Sequence, residues 1–171
     1  MIRQLSIQDV DRVKIITEAC GEDMSSNGVN VWNKDYPSLD VISRDAENGS
    51  LYGYELNDEI VGTVMLSTKQ DKFYSDIDWS TKDAKHIYVH RLAVHPHFQR
   101  QGIARQLMDF GENLARDKGC TSVRLATLSL LERNNKFYKN RGYIFCGDIY
   151  LDNKSNGLAH SGYRNCFELV L

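Results

Sequence analysis

At 171 residues, with 42% hydrophobic and 26% charged residues, the chain has the make-up of one globular domain spanning residues 1–171, large enough to bury a sound core. A formal net charge of -2 and a pI near 6.2 give no overall attraction for nucleic acid, and no apolar run approaches a membrane span. Cys20, Cys120, Cys146 and Cys166 lack the C-x-x-C spacing of a zinc or redox site, and the N-terminus lacks a signal-peptide pattern, so a reducing cytoplasm is the expected setting.

Residues 2–5 read as a short strand. Ser6, with Gln8 or Asp9 behind it, starts a helix, because a side-chain oxygen there accepts an orphan backbone N–H. Val10, Val13, Ile16 and Cys20 follow along one face. Residues 21–30 are polar and glycine-containing and are expected as a loop, followed by the cluster Val31, Trp32, Asp35, Tyr36 and Pro37. A second helix is expected from about residue 38 to 47, stopping near Asn48-Gly49. Residues 51–56 and 60–66 read as two strands of a hairpin around the polar turn Asn57-Asp58-Glu59. Residues 67–85 are polar, with Phe73, Tyr74, Ile77 and Trp79 as the few apolar members, and too long for a minimal turn.

Ile87, Val89, Leu92, Ala93 and Val94 then form a β-rich run, and Ile103, Leu107, Phe110 and Leu114 recur as one face of a helix. Lys118-Gly119 stops that helix, and residues 121–128 alternate as a strand. Strand, helix and strand in one compact unit imply parallel neighbours joined by a right-handed crossover. Residues 131–140 make a short helix ending at Arg141-Gly142, and residues 143–150 and 163–171 form an antiparallel pair around the polar segment 151–162. The order β-α-α-β-β-β-α-β-α-β-β gives an α/β reading, with a single mixed sheet of about seven strands and helices on both faces.

The strongest functional signal lies where a strand meets a helix, across Gln99-Arg100-Gln101-Gly102-Ile103-Ala104. The first N–H groups of a helix have no intrahelical partner, and the peptide dipoles leave about half a positive charge there, so phosphate oxygens are favoured. Gly102 and Ala104 allow close approach to the backbone, and Arg100 and Arg105 add positive charge suited to a small polyanion. Neither the dinucleotide fingerprint nor the P-loop is present.

The pattern Q/R-x-x-G-x-G/A, following Arg91-Leu92-Ala93-Val94-His95-Pro96, resembles the acyl-CoA-binding motif of the GNAT superfamily of N-acetyltransferases. The resemblance implies the GNAT fold, acetyl-CoA as co-substrate without a metal, and a pyrophosphate held by the loop Gln99, Arg100, Gln101, Gly102, Ile103, Ala104 and Arg105. It implies further that the end of the preceding strand, Leu92-Ala93-Val94, is splayed, with an N–H near Leu92 or Val94 polarising the thioester carbonyl.

A second stretch, Asn134-Asn135-Lys136-Phe137-Tyr138-Lys139-Asn140-Arg141-Gly142-Tyr143, resembles the family segment N-x-x-A-x-x-F/L-Y-x-x-x-G-F/Y. Tyr138 falls on the tyrosine placed beside the acetyl sulfur. Acetyl transfer expels a thiolate, and a phenol with pKa about 10 can donate a proton to it, so Tyr138 is the candidate general acid. The family's leading asparagine falls on Leu131 and its alanine on Asn134, which leaves Asn134 as the nearest contact for the pantetheine amide. His90 is similar in position to a strand histidine proposed as base in arylalkylamine N-acetyltransferases, and an imidazole takes up a proton near neutral pH. Trp32 and Tyr36 fall in the segment that borders the acceptor pocket in the family. For Trp32, Tyr36, Tyr138 and His90 alike, a purely structural role is the competing reading.

The resulting expectation is an N-acetyltransferase acting on a primary amine of a small molecule, peptide or protein, without nucleic-acid or membrane partners. Homodimers are common in the family. The alternatives are a CoA-binding sensor that has lost transfer and a peptide-binding module built around Trp32 and Tyr36.

Overall fold

Ser6 Oγ accepts the N–H of Gln8, and the Ser6 N–H donates to Asp9 Oδ2 at 2.8 Å, so the expected capping box closes and launches the first helix. The computed structural model describes residues 1–82, 84–152 and 161–171. In chain order these hold β1 (Ile2–Gln4), α1 (Val10–Ser26), α2 (Leu39–Glu47), β2 (Leu51–Leu56), β3 (Glu59–Ser67), β4 (His86–Val94), α3 (Ile103–Asp117), β5 (Ser122–Leu128), α4 (Glu132–Asn140), β6 (Ile144–Leu151) and β7 (Gly162–Val170). Among the described residues, seven strands form one mixed sheet in the order β1-β2-β3-β4-β5-β7-β6, the α/β arrangement expected from the element order.

One helix boundary differs from the sequence reading. Residues 21–26, expected as loop, continue α1, because Gly21 lies where a side chain would strike the carbonyl of Trp32, 2.9 Å from an added Cβ. The stop signal is Gly28 instead. Its φ of 80° lets the N–H of Val29 reach the Met24 carbonyl and its own N–H reach Ser25, a Schellman cap. Asn57 and Asp58, both at positive φ, form the two-residue hairpin turn between β2 and β3. The polar segment 151–162 lies largely outside the described residues.

Alternation along β4 divides the core. Ile87 and Val89 point into a cluster with Leu107 and Met108 of α3 and Tyr138 of α4, whereas Tyr88 packs with Tyr74, Trp79 and Cys166 on the other face. On that second face α1 and α2 cover the β1–β4 side through Val13, Ile16 and Ile42. The long polar stretch before β4 is therefore a cover for the sheet: Tyr74 and Trp79 are buried, and Ser80 and Thr81 donate their backbone N–H groups to Glu168. Glu168 also accepts from Ser122 and from Arg124, which stacks on Trp79 with its guanidinium 4.6 Å from the ring centre. No helix among the described residues is long and apolar enough to cross a membrane.

Candidate active site

β4 and β5 run parallel only from His86 opposite Ser122 to Val89 opposite Leu125. Beyond that point β4 stays with β3 as far as Val94, and β5 stays with β7 as far as Leu128, so the sheet opens between them. A β-bulge marks the divergence. Met65 faces His90 and Thr63 faces Ala93, so Arg91 and Leu92 together oppose Val64, and Arg91 adopts φ 48°. The His95 N–H donates to Val61 across the β3 side at 2.9 Å. Because amides alternate along a strand, those of Leu92 and Val94 point the other way, into the gap. The expected splayed end, Leu92-Ala93-Val94, is thus present.

After a single turn at Pro96–Phe98 the chain enters the loop that leads into α3. Arg100 has φ 63° and Gly102 has φ 80°, and the loop turns its amides outward. The N–H groups of Arg100, Gln101, Gly102, Ile103, Ala104 and Arg105 donate to no acceptor among the described residues. Six consecutive open donors at the start of α3, with Arg100 and Arg105 exposed beside them, suit a pyrophosphate. Gln99 differs from the other loop residues. Its N–H goes to the Pro96 carbonyl, and its side chain bridges the Val94 carbonyl at 3.1 Å and Arg133 of α4 at 3.2 Å. It shapes the loop and ties it to α4, leaving the donors to its neighbours.

Tyr138 sits on α4 between Tyr143 and Phe167, with ring centres 5.8 and 6.1 Å away, and is 7% exposed. Its hydroxyl makes no hydrogen bond among the described residues, yet none of their buried polar side-chain atoms lacks a partner, so the oxygen is open to solvent rather than sealed. Burial pushes the phenol well above its ordinary pKa, against the opposing pull of Arg141, and keeps it protonated. Asn134, one turn earlier, places its amide 3.5 Å from Thr127 Oγ1 on β5. Sequence reasoning missed the adjacent Asn135. Its Nδ2 donates to the carbonyls of Leu128, Ser129 and Leu131, and its Oδ1 accepts from Asn165, so it joins the end of β5 to the start of α4, where Leu131 offers no side-chain cap. Its side chain is the only signal, a polar residue at a helical position otherwise facing the core.

His90 lies on the opposite face of the sheet from α4, beside Tyr74 and with Nε2 3.7 Å from Asp71 Oδ2. Burial, with a contribution from Arg91, lowers its pKa to about 3. The imidazole is neutral at pH 7 and holds a proton poorly, which departs from the near-neutral base expected of it. Asp71 is pushed upward by burial. Tyr36 reaches the bulge: it lies close enough to Arg91 to favour the guanidinium charge, while Arg91 Nε donates to Asp45 of α2 at 3.0 Å. Trp32, the other aromatic of that segment, packs half-buried on the α1–α2 cluster. The structure therefore brings His90, Tyr36 and the bulge to one side of the gap, Tyr138, Asn134 and the loop to the other, and sets Trp32 into the helix packing.

Comparison with known proteins agrees with this geometry. An uncharacterized N-acetyltransferase of Bacillus subtilis, YesJ, is 23% identical over 142 residues, covering 82% of this chain and 79% of that protein. The crystal structure of a GNAT family acetyltransferase from Streptococcus agalactiae superposes with a TM-score of 0.82 at 17% identity, covering 100% of this chain and 95% of that one. The PaiA N-acetyltransferase of Thermoplasma acidophilum, solved in complex with coenzyme A, gives 0.73 at 15% identity over 100% of this chain and 98% of that one. The sequence pattern of the acetyltransferase (GNAT) family matches residues 17–143. Since that match runs from α1 to the residue before β6, it takes in the loop 99–105 and Tyr138 alike, and the chain belongs to the acetyltransferase (GNAT) family.

Proposed function

We propose that the protein transfers an acetyl group from acetyl-CoA directly to a primary amine of a small molecule, peptide or protein. The observation that carries this reading is the run of six open amides, Arg100 to Arg105, at the end of a strand that has parted from its neighbour. These amides and the two arginines hold the pyrophosphate, and the exposed edge of Leu92, Ala93 and Val94 with the side chain of Asn134 receives the pantetheine amides. Bound acetyl-CoA supplies an activated thioester. The N–H of Leu92 or Val94 then stabilises negative charge developing on its carbonyl oxygen, and Tyr138 donates its proton to the departing sulfur.

The acceptor enters from the His90 face, bordered by Tyr36. Trp32 supports that border from the helix side. With a pKa near 3, His90 accepts a hydrogen bond from the amine but does not store the proton. We assign it a relay role toward Asp71, whose carboxylate lies 3.7 Å away. A sensor that binds CoA without transfer is the second reading, favoured by Leu131 at the position of the family's asparagine and by the weak basicity of His90.

The test is calorimetric titration with CoA, followed by release of free thiol from acetyl-CoA in the presence of polyamines, amino acids, aminoglycosides and peptide N-termini. Binding with amine-dependent thiol release supports the enzyme. Binding with no release across the panel favours the sensor, and absence of CoA binding removes both.

A further inference from the structure

Arg91 is an arginine in the left-handed region, φ 48°, inside a strand, where a residue with a side chain is disfavoured. Its guanidinium is held from a different layer of the fold. Nε and Nη2 both donate to Asp45 Oδ2 on α2, at 3.0 and 2.5 Å, with the two side chains only 17% and 9% exposed. The Tyr36 hydroxyl, from the connection between α1 and α2, lies close enough to the same guanidinium to favour its charge. The next residue is Leu92, whose N–H faces the gap. The backbone of Arg91 therefore sets where that N–H points, and the side chain of Arg91 is what α2 grips.

We propose that Arg91 is a positioning residue: clamped by Asp45 and Tyr36, it fixes the left-handed bulge of β4 and so aims the Leu92 N–H at the acyl carbonyl of the bound thioester. This rests on the acetyltransferase reading. Neither Arg91 nor Asp45 touches a reacting atom. Their effect is on the direction of a backbone donor, and donors of this kind act only when held within about 0.5 Å of the productive geometry, roughly 2.7–3.1 Å from the developing charge. Tyr36 adds a link to the acceptor side, since the segment bordering the acceptor pocket touches the group that sets the donor.

The experiment reads the carbonyl itself. Acetyl-CoA labelled with 13C at the carbonyl is added to the wild-type protein and to R91A, R91K and D45N, each checked for native circular dichroism, and the carbonyl resonance is compared with that of free acetyl-CoA. No acceptor is needed. In the wild type the bound resonance moves downfield, as a polarised carbonyl does. In R91A and D45N it returns most of the way to the free position while CoA affinity stays within about threefold, and R91K recovers part of the shift because one ammonium reaches one Asp45 oxygen. With an acceptor in hand, kcat of R91A falls about 10- to 100-fold at little change in the KM for acetyl-CoA, a fraction of the 10²–10³ that a whole oxyanion donor contributes.

If R91A does not fold, D45N, which leaves Arg91 in place, reads the same resonance. A wild-type shift retained in the folded variants overturns the proposal and leaves the acetyltransferase reading intact. A wild type that takes up no acetyl-CoA overturns both.

Discussion

Gly102 separates the demands of the backbone from those of the ligand. At φ 80° it caps the start of α3, and a Cβ built there meets no atom within 4 Å. Replacing it by alanine therefore produces no clash within the protein, and the folding cost is that of placing an L-residue in the left-handed region, about 1–2 kcal/mol. For a chain of this length that amounts to a fall in Tm of roughly 2–8 °C. The added methyl stands among the six open amides, in the space a phosphate must occupy to reach them. Loss of one charge-assisted hydrogen bond costs about 1.5–3 kcal/mol, or about 10- to 150-fold in Kd for CoA. Gly102→Asp adds a negative charge at the same point and is expected to abolish measurable binding. Calorimetry with CoA and with pantetheine, which lacks the pyrophosphate, checks the assignment. G102A should weaken CoA and leave pantetheine unchanged. Equal weakening of both ligands, or a CoA Kd within twofold of wild type, would refute the placement of the pyrophosphate on this loop.

Tyr138→Phe keeps the ring packing on Tyr143 and Phe167 and removes the proton donor, so kcat should fall by about 10² or more at unchanged CoA affinity; an unaltered kcat assigns Tyr138 to the core alone. His90 has a folded pKa depressed from its usual 6.5 to about 3, so its contribution to stability is complete above pH 6.5 and is lost as the pH falls toward 3. His90→Gln should flatten that part of the stability profile in urea titrations, and the kcat/KM profile of the wild type should show no limb near pH 6.5 arising from an imidazole. Glu168→Ala leaves Arg124 buried without its counter-charge and strips Ser80, Thr81 and Ser122 of their acceptor. The expected cost is about 3–5 kcal/mol, or roughly 6–20 °C in Tm; a change under about 1 kcal/mol in urea unfolding would mean that the cover over β4 and β7 is held by its aromatics.

The elements with a local cause were legible in the sequence. The capping box at Ser6, the hairpin joining residues 51–56 and 60–66 and the periodic face of α3 each follow from residues within a few positions of one another, and each is present, with Glu59 of the expected three-residue turn already in β3. The loop was legible for the same reason, since its chemistry is that of a helix start. What was hidden depends on partners distant in sequence. Whether Gly21 ends a helix is decided by Trp32 packing on it, and the value of the 67–85 stretch by Glu168, almost 90 positions later. The acidity of His90 is set by burial beneath Tyr74, which no alternation pattern reveals. Arg91 read only as the first residue of the family match, because a positive φ at an arginine leaves no mark in a sequence.

The gap between β4 and β5 explains why groups so unlike in origin converge. Tyr138 belongs to the face covered by α3, and His90, Tyr74 and Tyr36 to the face covered by α1 and α2, so a closed sheet would keep them a full layer apart. Opening the ladder after Val89 removes that wall, yet it leaves the amides on one edge of β4 without a strand to pair with. Unpaired donors are costly only where they are both buried and unmet, about 1–3 kcal/mol each, and a chain that carries its own amides is the kind of ligand that meets them. Pantetheine is such a chain. On the proposed reading, the same opening that exposes the donors admits the molecule able to satisfy them, with its thioester end at the bulge between the two faces. On that reading the position of the bulge, with Arg91 two residues past Val89, the last position of β4 paired with β5, decides which amide meets the carbonyl, and the acceptor is selected by what surrounds His90 and Tyr36, a choice the loop has no part in.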